Sequence, residues 1–108
     1  MMLPIVRQVA DEYKANLQNL YGNELAELVI FGSYARGDNH EGSDLDFAII
    51  LRNPNTRPAA EIPKISVISS RLSLKYGIMV SSLSASLHKK QTSMQGIYQE
   101  IRKEGIIV

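Results

Sequence analysis

Two aspartates, Asp44 and Asp46, have the types and spacing to do chemistry in this chain. They sit two positions apart, just before the apolar run Phe47-Ala48-Ile49-Ile50-Leu51. Alternate side chains of an extended strand share one face, so both carboxylates would project together, their Cα atoms about 7 Å apart. Paired carboxylate oxygens at one edge suit a hard divalent cation such as Mg2+ (or Mn2+). Mg2+ usually takes one or two protein carboxylates and completes its shell with water and phosphate oxygens. A rival arrangement has Ser43 capping a helix whose first turn holds the acids. The apolar residues that follow would leave such a short helix no polar face, which favours the strand. Earlier in the chain, Gly32-Ser33 closes another apolar run, Leu25-Ala26-Glu27-Leu28-Val29-Ile30-Phe31. A glycine with free backbone amides, a serine hydroxyl and a short helix starting at Tyr34-Ala35-Arg36 can cradle phosphate. The same residues also read as a tight turn from strand to helix with Ser33 as N-cap. Arg36 can pair with a phosphate or with a nearby acid.

These groups meet only if the surrounding elements bring them together. Residues 4–21 carry Ile5, Val6, Val9, Ala10, Tyr13, Leu17 and Leu20 at helical spacing, with Pro4 at the entry and Gly22 at the exit. The runs 25–31 and 45–51 read as strands, the second central because it is apolar on both faces. Asn53-Pro54-Asn55 is a turn. A helix follows from Pro58 to Tyr76, its face marked by Ile62, Ile65, Ile68, Leu72 and Tyr76. Pro63 is accommodated if that helix truly begins near Ala60 or Glu61. Residues 78–85 read as a third strand. Thr92 to Glu104 reads as a last helix, with Thr92 and Gln95 forming a capping box and Gly105 in the C′ position. The tail Ile106-Ile107-Val108 is a short edge strand or a partner-binding end. The expected architecture is one α/β (α+β) domain over residues 1–108, a small mixed sheet with helices packed over it.

Composition removes several function classes. A net charge of +1 offers no electrostatic footprint for a long nucleic acid or an anionic membrane. The chain has no cysteine, hence no disulfide framework and no thiolate metal site. No apolar run approaches the length of a membrane helix, and no signal-peptide pattern opens the chain, so a cytoplasmic protein is expected. A calcium loop counted from Asp38 would need glycine at its sixth position and glutamate at its twelfth. Ser43 and Ile49 stand there. His40 and His88 have no companions at metal-ligand spacing and receive no role.

Joined together, Gly32-Ser33-Tyr34-Ala35-Arg36-Gly37 and Ser43-Asp44-Leu45-Asp46 resemble the signature of the polymerase-β-like nucleotidyltransferases, G-S-x-A-R-G followed by S-D-x-D. The small size, the helix-first order and the closing Arg102-Lys103-Glu104-Gly105 look most like the minimal nucleotidyltransferases (MNT domains, MntA-type antitoxins). That resemblance implies the polymerase-β-like fold. It implies that Gly32 and Ser33 hold a nucleoside triphosphate with Arg36 beside them, and that Asp44 and Asp46 are catalytic and bind Mg2+. The implied reaction moves AMP from ATP onto an acceptor and releases pyrophosphate. It also implies a HEPN-domain partner, an all-α protein, as the acceptor or its holder, and leaves homo-oligomerisation open.

One position departs from the family pattern. A third carboxylate is expected on a later strand, in a segment like Y-G-I-x-V-D-V, and this chain has Tyr76-Gly77-Ile78-Met79-Val80-Ser81-Ser82. Ser81 occupies the acid's place, and no Asp or Glu occurs between Glu61 and Glu100. Losing that acid should slow the chemistry more than it weakens nucleotide binding. Glu41 is the remote substitute. Two functions follow: an antitoxin-like adenylyltransferase acting on its partner, or a catalytically weak binding module of the same fold that neutralises its partner by contact. The stripe Met94, Ile97, Tyr98, Ile101 and the apolar tail are candidate contact surfaces, or simply core.

Overall fold

The computed structural model describes residues 2–108. Helix α1 (Pro4–Tyr21) starts with proline at its first turn and buries Val6, Val9, Ala10, Tyr13 and Leu17. Ile5 and Leu20, at the ends of that stripe, remain exposed. Strand β1 (Leu25–Phe31) leads into the single-turn helix α2 (Ser33–Arg36), and a polar loop returns the chain as β2 (Leu45–Leu51). The two strands are antiparallel, with Phe31 opposite Asp46. Helix α3 (Pro58–Tyr76) then crosses over the sheet and delivers β3 (Val80–Ser86) parallel to β2. A parallel pair requires such a crossover. Helices α4 (Leu87–Thr92) and α5 (Gly96–Glu104) follow, and β4 (Ile106–Ile107) pairs antiparallel with β1. The sheet order is β3-β2-β1-β4, so β2 is internal, as expected from the sequence, and the tail takes the first of its two readings, an edge strand.

Strand parity divides the core. Leu45, Phe47, Ile49 and Leu51 of β2, with Leu28 and Ile30 of β1, pack under α1 and α3. Tyr13 meets Phe47 edge-on, ring centroids 5.0 Å apart. Its hydroxyl shares a 2.5 Å hydrogen bond with Ser82 Oγ. Burial pushes the Tyr13 pKa up to about 12, the Ser82 bond partly opposing it. The opposite face carries Val29, Phe31, Ala48, Ile50 and Ala85 against Tyr98 and Ile101 of α5.

Four expectations need correction. Helix α3 begins at Pro58, so Pro63 lies inside it. The lost bond would have gone to the carbonyl of Ala59, which is exposed and can turn to water. Ile62, expected on the buried face, is 61% exposed. The helix expected over 92–104 begins only at Gly96, Thr92 being instead the last residue of α4, and the Thr92–Gln95 capping box does not form. Thr92 Oγ1 donates to the His88 carbonyl, Gln95 N–H donates to Ser93 Oγ, and Ser86 Oγ caps α4 by accepting from Lys89 N–H. Gly105 follows α5 with extended backbone, φ −65°, rather than a left-handed cap. It is glycine because a Cβ there would collide with the Ile101 carbonyl oxygen and Val29 Cγ1. Among the described residues no helix is long and apolar enough to cross a membrane.

Candidate active site

The site forms where β1 and β2 end. Gly32 leaves β1 at φ 76°, a left-handed value that favours glycine. Its carbonyl accepts the amides of Ala35 and Arg36 at 3.1 Å each. Gly32, not Ser33, is therefore the residue that caps α2, and it does so without a side chain. A Cβ on Gly32 would stand 2.5 Å from Asp46 Oδ2. Only a residue without a side chain lets the turn approach the carboxylate this closely. Gly37, at φ 81°, stops α2 after one turn. Ser43 does not cap a helix. Its hydroxyl accepts from the His40 amide at 2.9 Å, and its own amide donates to the His40 carbonyl at 3.0 Å, which closes the loop before Asp44.

Gly32, Ser33, Arg36, Asp44 and Asp46 line one open cavity of about 660 Å3, together with Phe31, His40, Gly42, Ser43, Ile97 and Glu100. A second cavity of similar size lies on the other flank of α2, lined by Leu3, Val6, Tyr34 and Ile106 among others, and holds no carboxylate. The paired acids thus single out the first cavity as the candidate site. Asp44 is exposed and Asp46 half-buried. Burial, then the charge of Asp44, then that of Glu100 raise the Asp46 pKa, and Arg36 opposes them. Three carboxylates face one guanidinium across this cavity, so a bound cation would relieve an existing repulsion. Among the described residues no three Asp, Glu, His or Cys side chains converge on a point. The donor set is two hard oxygens open to solvent, which fits Mg2+ finishing its shell with water and phosphate oxygens.

Ser81 lies opposite Asp46 in the parallel register of β2 and β3. Register neighbours project to the same face, so the third-acid position inferred from the sequence is adjacent to the acid pair, and it carries a hydroxyl. Glu41 is exposed and does not line the cavity. Arg36 is bound by acids. Its Nε donates to Asp38 Oδ2 at 3.1 Å, and its Nη1 donates to Glu100 Oε1 at 2.7 Å and Glu104 Oε2 at 3.3 Å. Glu100 is the lining residue that sequence reasoning missed. Its signal is helical spacing: once Tyr98 and Ile101 face the sheet, Ile97 and Glu100 (i, i+3) share the flank turned toward the cavity. His40 lines the cavity with Nδ1 at 2.7 Å from the Glu41 carbonyl, whereas His88 lies outside it.

Comparison with known proteins agrees with this geometry. Residues 7–107 match the nucleotidyltransferase domain family. The chain is 35% identical over 101 residues to MJ0141 of Methanocaldococcus jannaschii, a candidate protein adenylyltransferase, covering 94% of this chain and 96% of the relative. A second candidate adenylyltransferase of that organism, MJ0604, is 26% identical, with 90% and 91% covered. Among solved structures, a chain of a toxin–antitoxin crystallised with AMP-PNP superposes at a TM-score of 0.60 and 17% identity, covering 88% of this chain and 68% of that one. A minimal nucleotidyltransferase superposes at 0.59 and 19% identity, covering 95% of both chains. At such identities the structural likeness establishes the fold, while the family match spans nearly the whole chain. With the Gly32 turn pressed against Asp46 on the neighbouring strand, and with the family match over nearly its whole length, the chain belongs to the nucleotidyltransferase domain family.

Proposed function

We propose that this domain is a Mg2+-dependent adenylyltransferase that moves AMP from ATP to a hydroxyl of a partner protein, a HEPN-type toxin, and acts as the antitoxin-like half of a cytoplasmic pair. The observation that carries the chemistry is the contact geometry of Gly32 and Asp46, which leaves no room for a side chain between the turn and that carboxylate. The protein adenylyltransferase relatives support the adenylyl group and a protein acceptor. The toxin–antitoxin structures support the partner class.

The residues divide the work. The turn at Gly32-Ser33 offers the Ser33 hydroxyl and the amides of Ser33 and Tyr34 to phosphate oxygens, those of Ala35 and Arg36 being held by the Gly32 carbonyl. Asp44 and Asp46 would hold the cation, which when bound supplies charge neutralisation to the triphosphate. The lining charges, three carboxylates against Arg36, would otherwise repel a polyanion. Arg36 is the lining guanidinium that can turn to a phosphate oxygen. In the transfer the acceptor oxygen bonds to the α-phosphorus as pyrophosphate leaves.

The test is labelled ATP with Mg2+ and the protein encoded beside this chain. Label should pass to that protein and disappear, by at least about a hundredfold, when Asp44→Asn and Asp46→Asn are combined. Ser81 favours a second reading. With a hydroxyl at the third-acid position, the domain would bind nucleotide and neutralise its partner by contact alone. No label, together with a tight complex that survives the double substitution, would establish that reading and sink the first.

A further inference from the structure

The transfer proposed above needs a group to take the acceptor's proton, and the two aspartates assigned to the cation are not free for it. We infer that Glu100, delivered by α5, is that group and stands across the cavity in place of the carboxylate that β3 lacks. The inference rests on the adenylyltransferase reading and deepens it.

Ser81, the register neighbour of Asp46, ends in a hydroxyl, which is no base at neutral pH. Glu100 is the one lining carboxylate beyond the aspartate pair. It lies near enough to Asp46 for its charge to act on that carboxyl, whereas Glu41 is exposed and outside the lining. Its position is fixed from two sides. Tyr98 and Ile101 anchor α5 in the core, and Arg36 Nη1 holds Glu100 Oε1 at 2.7 Å. That ion pair also orders the events. Arg36 Nη1 is shared with Glu104 at 3.3 Å, so its grip on Glu100 is divided. A phosphate that draws the guanidinium toward Gly32-Ser33 frees the Glu100 carboxylate oxygen that Arg36 Nη1 now occupies, leaving it open to the acceptor's proton. In the step itself the acceptor oxygen bonds to the α-phosphorus and the bond from that phosphorus to the bridging oxygen breaks. Pyrophosphate leaves with the electron pair, and the acceptor's proton passes to a Glu100 carboxylate oxygen.

The experiment compares wild type, Glu100→Gln and the double variant Ser81→Asp/Glu100→Gln. Three readouts are taken: single-turnover labelling of the protein encoded beside this chain, affinity for a fluorescent ATP analogue with Mg2+, and Mn2+ binding followed by electron paramagnetic resonance. Glu100→Gln should slow transfer by at least about a hundredfold, while nucleotide and Mn2+ affinities stay within about threefold. Ser81→Asp, placing a carboxylate beside Asp46, should then restore at least about tenfold of the loss. Glu100→Gln that transfers at more than a third of the wild-type rate overturns the inference. So does a loss of nucleotide affinity that accounts for the slower transfer, and so does a loss that Ser81→Asp leaves unrepaired. A wild type that labels nothing defeats the adenylyltransferase reading itself, a result distinct from all three.

Discussion

Leu45, Phe47, Ile49 and Leu51 point to one face of the sheet and are sealed beneath two long helices, α1 and α3. Asp44, Asp46, Ala48 and Ile50, the intervening positions of the same stretch, belong to the other face, which only the nine-residue α5 and the six-residue α4 cover. The first face buries all four of its side chains. The second is closed by Tyr98 and Ile101 in its middle and left open where β1 and β2 end. The odd residues of this stretch are thus all core, whereas the even ones run from exposed and half-buried acids, Asp44 and Asp46, to the buried Ala48 and Ile50. Opening the second face leaves a half-buried carboxyl beside two further acids. That repulsion costs free energy, and the closed face supplies the packing that offsets it.

Three substitutions test this contrast. Phe47→Ala, on the closed face, should have the largest effect. Its ring is fully buried against Tyr13, and removing it should cost about 3–5 kcal/mol, much of a small domain's stability. Urea unfolding measures the loss. Ile101→Ala on the open face should cost less, about 2–3 kcal/mol, and a larger loss there would refute the ranking of the two faces. Gly32→Ala comes next. It must place a Cβ at positive φ and 2.5 Å from Asp46 Oδ2, so a destabilisation of about 1–3 kcal/mol is expected. Fluorescent-nucleotide titration should show a loss of affinity larger than the stability change explains. Unaltered nucleotide binding in a folded Gly32→Ala protein would break the link between turn and acid pair.

Asp46→Asn should have the smallest effect on stability, with the opposite sign. The folded-state pKa of Asp46 is raised above its unfolded value, first by burial and then by Asp44 and Glu100. The ionised carboxyl therefore disfavours the fold at neutral pH, and that cost fades as pH falls through the raised pKa. Asn removes the cost. Solvent at the half-open site screens it to about 0.5 kcal/mol or less, or a rise of ~2–3 °C in melting temperature at neutral pH. The gain should vanish in acid, where both proteins carry a neutral group. Differential scanning calorimetry at two pH values checks the sign, and a fall in melting temperature at neutral pH would contradict it.

Much of this fold was legible in the sequence because its elements carry strong local signals. The stripe Val6, Val9, Ala10, Tyr13, Leu17 has helical spacing, and the two apolar runs that became β1 and β2 are bounded by glycines, a proline and acids. Reading failed where tertiary demands overrode local pattern. Residues 92–104 look like one capped helix, yet the chain leaving β3 must turn back over the open face, and it breaks at Ser93–Gln95 to do so. Ile62 obeys the helical period and still ends exposed, because α3 presents only Ile65 and Leu72 fully to the core.

The same division holds for the site. Sequence alone placed the glycine–serine turn, the aspartate pair and Ser81 at strand positions that share one face, because strand alternation fixes the side to which each projects. It could not assign Arg36 between phosphate and acid, since the carboxylates that bind it in this structure include Glu100 and Glu104, 64 and 68 residues away. Nor could it place Glu100 in the cavity, because that position depends on how Tyr98 and Ile101 seat α5 against the sheet. Strand parity is a local property and can be read along the chain. The approach of a helix to a sheet edge is set by packing between distant residues, and only the tertiary structure decides it.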